Sequence, residues 1–347
     1  MKDKRGMKLF ATDRATRLAT VACAAFLTGG IRAQDYDAAD RSGWFARLDA
    51  VARFNIKATL EHTNPTMGPG VFNNGFVLPD AGGSSTLTWN WGYTDASQIV
   101  GPDIVFQRYD NAPTVGKQTI YDDPTLGGEF VGGYRFNDIE LGKRTARVSL
   151  QVGYGYTEFS QNMSFGANGS VTYSTSSHSL NGIIPPSPPY SGTPQGPGPL
   201  ISLPENNSTT ITSAASTSFT GDLEATFHTL RLGPAFEVDL TKKLSMEVGF
   251  GYAAIYADAS LSYTEVQTFT NPSVPTIRTV RTLDRSDWEP GIYFELLGSY
   301  QFTRRLGAFV GADYQYNNSL KLADAAHKVK IDLSSTFAAK AGIKVFF

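Results

Sequence analysis

The chain has 347 residues, 34 of them Gly and 16 Tyr, only 18% charged, with a formal net charge of −2. Its mean hydropathy is slightly negative, which excludes a bundle of membrane helices, and its charge balance excludes the basic footprint of a nucleic-acid binder. Strand and turn formers abound and long helical blocks are missing, so the composition points to an all-β chain.

The chain opens with a basic stretch: Lys2, Lys4, Arg5, Lys8, Arg14 and Arg17. A short apolar run, Leu18 to Leu27, follows, and Ile31-Arg-Ala33 offers a small-residue cleavage site. That order predicts a secretory signal over residues 1–33; the run is too short to cross a bilayer, which takes about 20 residues. The signal holds seven of the 30 Lys/Arg and two of the 32 Asp/Glu, so the remainder carries net −7. Cys23, the single cysteine, leaves with it, so neither a disulfide framework nor a thiolate metal site is expected.

From Trp44 onward the dominant signal is a period of two, which a helix cannot produce. Trp44, Ala46, Leu48, Ala50, Ala52, Phe54 and Ile56 alternate with Arg47, Asp49, Arg53 and Lys57. Residues 130–136 and 146–156 repeat the pattern, setting Val148, Leu150, Val152, Tyr154 and Tyr156 against Arg147, Gln151, Gly153 and Gly155. In 222–240 the apolar positions change parity near His228-Thr229, which predicts a β-bulge there. Residues 244–256, 288–302, 306–316 and 329–347 complete the set, with Glu247, Glu295, Asp313, Lys330, Asp332, Lys340 and Lys344 on the polar face. Eight strands are expected on this count.

Three features argue against a soluble sandwich. Glycines crowd the polar face (Gly153, Gly155, Gly249, Gly251, Gly307, Gly311 and Gly342), and a solvated face has no use for them. Connections alternate between short turns, at 137–143, 241–243 and 303–305, and long loops, at 59–127 and 160–220 above all. The outward aromatics sit at strand ends: Trp44, Tyr300, Phe302 and Phe347 toward the short-turn rim, and Tyr154, Tyr156, Tyr252, Trp288 and Tyr314 toward the other. Two aromatic girdles around an aliphatic band suit a bilayer.

On these residues, and on a final alternating strand that ends in Phe347, the chain resembles small outer-membrane β-barrels of the OmpA/OmpX type. The resemblance implies a transmembrane antiparallel up-and-down barrel over 43–347, after a short periplasmic segment at 34–42, in the outer membrane of a Gram-negative-type envelope. It implies outer-membrane lipid and the barrel-assembly machinery as partners, with Phe347 as part of the assembly signal. A monomer is expected and no extracellular ligand is identified.

An eight-stranded barrel is narrow enough for side chains to fill. Arg47, Asp49, Arg53, Arg147, Glu247, Glu295, Asp313, Lys330, Asp332 and Lys340 are expected inside, as an ion-paired plug. The role read from this is structural, or surface interaction through the loops. A small porin or transporter, or an outer-membrane lipid-modifying enzyme, are the alternatives. Among His62, His178, His228 and His327 no hydrolase signature or metal spacing is visible, so no catalytic residue, metal or cofactor is expected. Asp122-Asp123 reads as a turn. Leu87 to Tyr93 is expected to form a hairpin with Ile104 to Tyr109 or to add two strands to make ten, its aromatics serving as a small satellite core that orders the loop rather than as an exposed binding site. The Pro-rich run from Ile183 to Pro199 is expected to be extended and mobile.

Overall fold

Alternation along the backbone becomes paired strand almost throughout. The structure is a computed structural model that describes residues 43–347 apart from 65–66, 84–85, 122–123 and 142–143. The expected signal at 1–33 with Cys23, the 34–42 segment and the Asp122-Asp123 pair lie outside the described residues.

The principal strands are β1 (Gly43–Phe54), β2 (Lys57–His62), β3 (Asp103–Asp110), β4 (Lys117–Tyr121) and β5 (Thr125–Arg135). Then come β6 (Arg144–Ser179), β7 (Asn207–Asp239), β8 (Leu244–Phe269) and β9 (Ile277–Gln301). The chain ends with β10 (Leu306–Asn317), β11 (Leu320–Ala323), β12 (His327–Asp332) and β13 (Thr336–Phe346). All principal pairings are antiparallel. β1 pairs with β5, β5 with β6, and the order continues through β7, β8, β9 and β10 to β13, which pairs back onto β1. The lower half is therefore a closed ring without edges, the form in which strands can cross lipid.

The short connections lie together at the lower rim. Two of them share one device. Thr241 and Thr303 each turn a hydroxyl back to accept the amide N–H groups of the residues two and three places on. That local bond lets Thr241-Lys-Lys243 and Thr303-Arg-Arg305 reverse the chain with a basic pair at the tip.

The upper half holds the surprises. β6 has 36 residues and β7 has 33, where a tilted membrane strand needs about 9–11. At ~3.3 Å per residue β6 is about 120 Å long. The expected loop over 160–220 is thus mostly hairpin, paired from Ala146↔Val238 up to Ser177↔Asn207. Above the ring β2, β4, β11 and β12 form a second sheet, in the order β11-β12-β2-β4.

Polarity inverts between the halves. Below, β6 exposes Leu150, Val152 and Tyr154 and buries Arg147 and Gln151; above, it exposes Glu158, Ser160 and Asn162 and buries Phe159 and Met163. On β7 the same swap explains the parity change read near His228. No bulge exists there: pairing with β6 runs unbroken through His228↔Tyr156 and Thr229↔Gly155. Leu223, Ala225 and Phe227 point in and Leu230, Leu232 and Phe236 point out. The apolar face changes sides because its surroundings change, while the strand keeps its phase.

The other side of the ring inverts by slipping. Between β1 and β2, Asn55 takes a left-handed φ of 67°, which Asn tolerates better than most residues. Arg53 and Ile56, on opposite parities, then both face inward. Between β12 and β13 the turn at Ser334-Ser335 does the same, and Asn55 Nδ2 donates to the Ser335 carbonyl at 2.5 Å, tying the two slips together. Between β10 and β11 the inward parity passes from Asn317 to Leu320.

The inward apolar residues of the upper half form one core, including Ile56, Leu60, Phe159, Phe219, Phe227, Leu261, Val329 and Ile331. A separate lobe crowns the long hairpin. Its core joins Trp91, Tyr93, Ile104, Phe106 and Ile201, and short strands at 71–72, 75–77, 91–93 and 190–191 form its sheet.

Candidate functional site

The lower ring encloses a lattice of buried charge. Every odd residue of β6 to β9 faces inward there, as do Arg47, Asp49 and Arg53 of β1, Glu129 and Arg135 of β5, and Lys340 and Lys344 of β13. Arg47 clamps Glu295 through both guanidinium nitrogens, at 2.9 and 3.0 Å, and its Nε lies 3.1 Å from Asp49. Lys340 Nζ sits 2.8 Å from Glu295 and 2.9 Å from Asp313 and also contacts Glu129. Arg231 bridges Glu295, at 3.3 Å, and Asp313. Arg53 reaches Asp313 at 3.3 Å and donates to Thr336 Oγ1 at 3.1 Å.

A lower tier pairs Arg135 with Glu237, and Lys344 with Glu237 at 3.4 Å and Glu247 at 2.5 Å. At the rim Arg147 joins Asp138 and Asp239, both at 2.7 Å. Aromatic faces line the gaps: Arg231 lies 4.6 Å from the Tyr293 ring centroid and Arg135 4.3 Å from that of Phe346. Charges this deeply buried persist only when paired and hydrogen-bonded. One small cavity opens among Arg47, Arg231, Glu129, Glu295, Tyr293 and Gly153. Asp49, Glu129 and Glu295 could geometrically share a cation, but Arg47, Arg231 and Lys340 already occupy that place.

Arg47, Asp49, Arg53, Arg147, Glu247, Glu295, Asp313 and Lys340 therefore all lie buried inside the ring. Lys330 and Asp332 do not. They pair at 3.3 Å with side chains 44% and 30% exposed, because the slip at Ser334-Ser335 turns Val329 and Ile331 inward instead. Arg231 and Glu237 were missed at the sequence level; their positions between Leu230, Leu232, Phe236 and Val238 carried the signal. Trp44, Tyr154, Tyr156, Tyr252, Trp288, Tyr300 and Tyr314 are all exposed on the outer surface, and Phe302 stacks edgewise on Tyr300. Phe347 is 77% exposed while Phe346 is buried under Arg135.

A second polar cluster sits in the upper apolar core. β2 contributes His62, β8 contributes Glu265 and β12 contributes His327, all buried. His327 Nε2 lies 2.8 Å and His62 Nε2 3.6 Å from the same Glu265 oxygen, Oε2. The two imidazoles stack with centroids 4.4 Å apart. Gln267 donates to the other Glu265 oxygen at 2.7 Å. Asp324 Oδ1 stands 3.4 Å from His327 Nδ1, and Tyr263 donates to Asp324 Oδ2 at 2.6 Å. Burial pushes His62 down. Burial alone would raise Glu265, but the bond to His327 and the neighbouring imidazoles hold it below the usual carboxylate range.

In the crowning lobe Trp91 and Tyr93 are fully buried, and their segment pairs with Tyr190–Ser191. The Pro-rich run is not loose: Trp89 donates to the Pro194 carbonyl at 3.2 Å, Trp91 donates to Pro199 at 2.8 Å, and Tyr93 donates to Pro186. Proline carbonyls and indole N–H groups satisfy one another, which the composition of the run alone does not reveal.

No family model and no curated protein matches the chain. Among solved structures it is similar to the outer membrane protease OmpT of Escherichia coli, at 11% identity and a TM-score of 0.33 over 88% of this chain and 97% of that one. It is also similar to a FadL homologue of Pseudomonas aeruginosa (8%, TM-score 0.18, 88% and 90% covered) and to the outer-membrane OmpT of Vibrio cholerae (10%, TM-score 0.14, 91% and 100% covered). Superpositions this loose transfer no residue's role. A closed antiparallel ring whose outer face is aliphatic, with Leu48, Val152, Leu232, Leu296 and Val310 exposed, belongs to an outer membrane.

Proposed function

We propose that this chain is an eight-stranded outer-membrane barrel, of the small OmpA/OmpX-like kind, that acts through its extracellular surface and passes no solute. The observation that carries the reading is the charge lattice around Glu295. Arg47, Arg231 and Lys340 converge on one carboxylate at bilayer depth, and a solute would have to break several buried ion pairs to pass. The apolar core above it, from Phe159 to Ile331, supports the same reading, since it packs the upper lumen with buried apolar side chains. What remains for function is the outer surface of the tall hairpins and the lobe on top.

Planar-bilayer recordings of the refolded protein test this directly. A silent bilayer is expected. Steady single-channel currents from the full chain would overturn the closed-lumen reading in favour of a small pore.

A further inference from the structure

We propose that His327, Glu265 and His62 form a site for one divalent transition-metal ion, of the zinc class, inside the extracellular half of the barrel. The three residues come from three strands, and their ligand atoms all lie within 4.8 Å of one another. Zinc holds tetrahedral ligands at ~2.0–2.1 Å, which sets ligand atoms about 3.4 Å apart by the same geometry. The observed separations of 2.8 and 3.6 Å onto Glu265 Oε2 straddle that value. Two imidazoles and one carboxylate suit zinc; calcium and magnesium favour all-oxygen shells.

A neutral hydrogen-bond cluster leaves one contact unsatisfied that a metal would satisfy. If His327 Nε2 carries a hydrogen and donates it to Glu265, the neutral ring leaves Nδ1 as a lone pair facing Asp324 Oδ1 at 3.4 Å. Two acceptors then confront each other in an apolar core, and Nδ1 is among the described buried atoms that lack a hydrogen bond. A metal on Nε2 reverses this. It forces the hydrogen onto Nδ1, where Asp324 accepts it. Asp324 is held in place for that role by the Tyr263 hydroxyl at 2.6 Å and by the amides of Ala326 and His327 at 2.8 and 2.7 Å. A carboxylate behind a ligating histidine is the usual second support of a zinc site. Gln267 occupies Glu265 Oε1, which leaves Oε2 for the metal. Phe219, Leu261 and Val329, each fully buried, wall the site, and the fourth tetrahedral position falls to one water, as in three-ligand zinc sites.

His62 is the ligand that must adjust. Its Nδ1 accepts from the Val115 amide at 3.3 Å, and a metal on Nε2 would place a hydrogen there. That long contact has to open, so His62 contributes least of the three.

The test uses the full chain refolded in detergent and titrated with cobalt(II), followed by its visible four-coordinate bands and by displacement with zinc. One ion per chain is expected. Glu265→Gln and His327→Ala abolish the bands. Asp324→Asn lowers affinity about 10–100-fold, and His62→Ala has a smaller effect than either ligand loss. Heat-modifiable gel migration confirms that each variant is folded, and the near-isosteric Glu265→Gln serves if His327→Ala is not. Folded wild type that develops no four-coordinate bands, or Glu265→Gln that binds cobalt as wild type does, overturns the site. It leaves the closed-lumen reading untouched.

Discussion

Glu295 illustrates how individual residues are bound to their neighbours in the lumen. It accepts from Arg47, Arg231 and Lys340, so removing it takes one carboxylate from three buried cations and leaves them to Asp49, Asp313 and Glu129. Breaking a buried pair on one side costs about 3–5 kcal/mol, whereas replacing both partners by apolar residues of similar volume is often neutral. Glu295→Ala is therefore expected to lower the temperature of the heat-modifiable gel shift sharply. Arg47→Met combined with Glu295→Leu is expected to recover part of the loss. A double variant no better than the single one would show that the cost falls on Arg231 and Lys340, each short of one carboxylate, rather than on Arg47. At the C-terminus the two phenylalanines divide by parity. Phe347 lies open at the rim and its amide donates to Trp44 at 3.0 Å, while Phe346 fills space beneath Arg135. Deleting Phe347 should reduce membrane insertion more than Phe346→Ala does, measured as folded protein in the membrane fraction. Equal yields would count against any role for Phe347 in assembly.

At the level of the strand, side chains alternate strictly, but which side is wet depends on height. Leu232 and Thr220 share β7, lie on opposite parity to its inward residues and are both exposed. Leu232 belongs to the aliphatic belt and Thr220 to the hydrated wall above it. Leu232→Arg should destabilise by ~2–4 kcal/mol, the range for Arg at the midplane of a barrel's lipid face. Thr220→Arg should stay within about 0.5 kcal/mol, as surface changes do. Urea unfolding in lipid vesicles separates the two; similar losses would put the membrane boundary elsewhere. The same dependence on height decides what individual segments face. Parity near His228 looked like a bulge, and Lys330 with Asp332 looked inward. In each case the residue pattern was correct and the face it met was different.

Across the whole molecule, stability is divided between a sealed ring, an apolar upper core and the crowning lobe. The lobe has its own titrating group. His178 is buried against Phe106 and Phe72, donates from Nδ1 to the Ser202 carbonyl at 3.0 Å and sits 3.2 Å from Ser176 Oγ. Burial holds its imidazole below the ordinary value, with the Ser202 carbonyl acting the other way. The unfolded lobe thus takes up a proton first as pH falls. Lobe stability should be full above about pH 6.5 and decline from there through the depressed folded value. The protection of residues 71–110 against hydrogen exchange, taken relative to the intrinsic rate at each pH, should fall on acidification while the ring stays protected, and His178→Phe should flatten the response. Unchanged protection in wild type would rule His178 out as the cause.

The alternation of Trp44 to Phe54 or of Arg147 to Tyr156 was enough to settle strand character, antiparallel order and the charged inner face. Period-two patterning is local and needs no knowledge of the partner. The exposed girdle residues and the buried Arg47, Glu295 and Lys340 were legible for the same reason. Three things needed the folded chain. The height at which lipid gives way to water decides whether Leu223 or Leu232 faces in, and nothing local marks that level. The slips at Asn55 and Ser334-Ser335 register only against neighbouring strands. The meeting of His62, Glu265 and His327, some 200 residues apart at the first step, is made by barrel closure. Pattern along a chain reports what each residue prefers; only closure determines which residues share an interior.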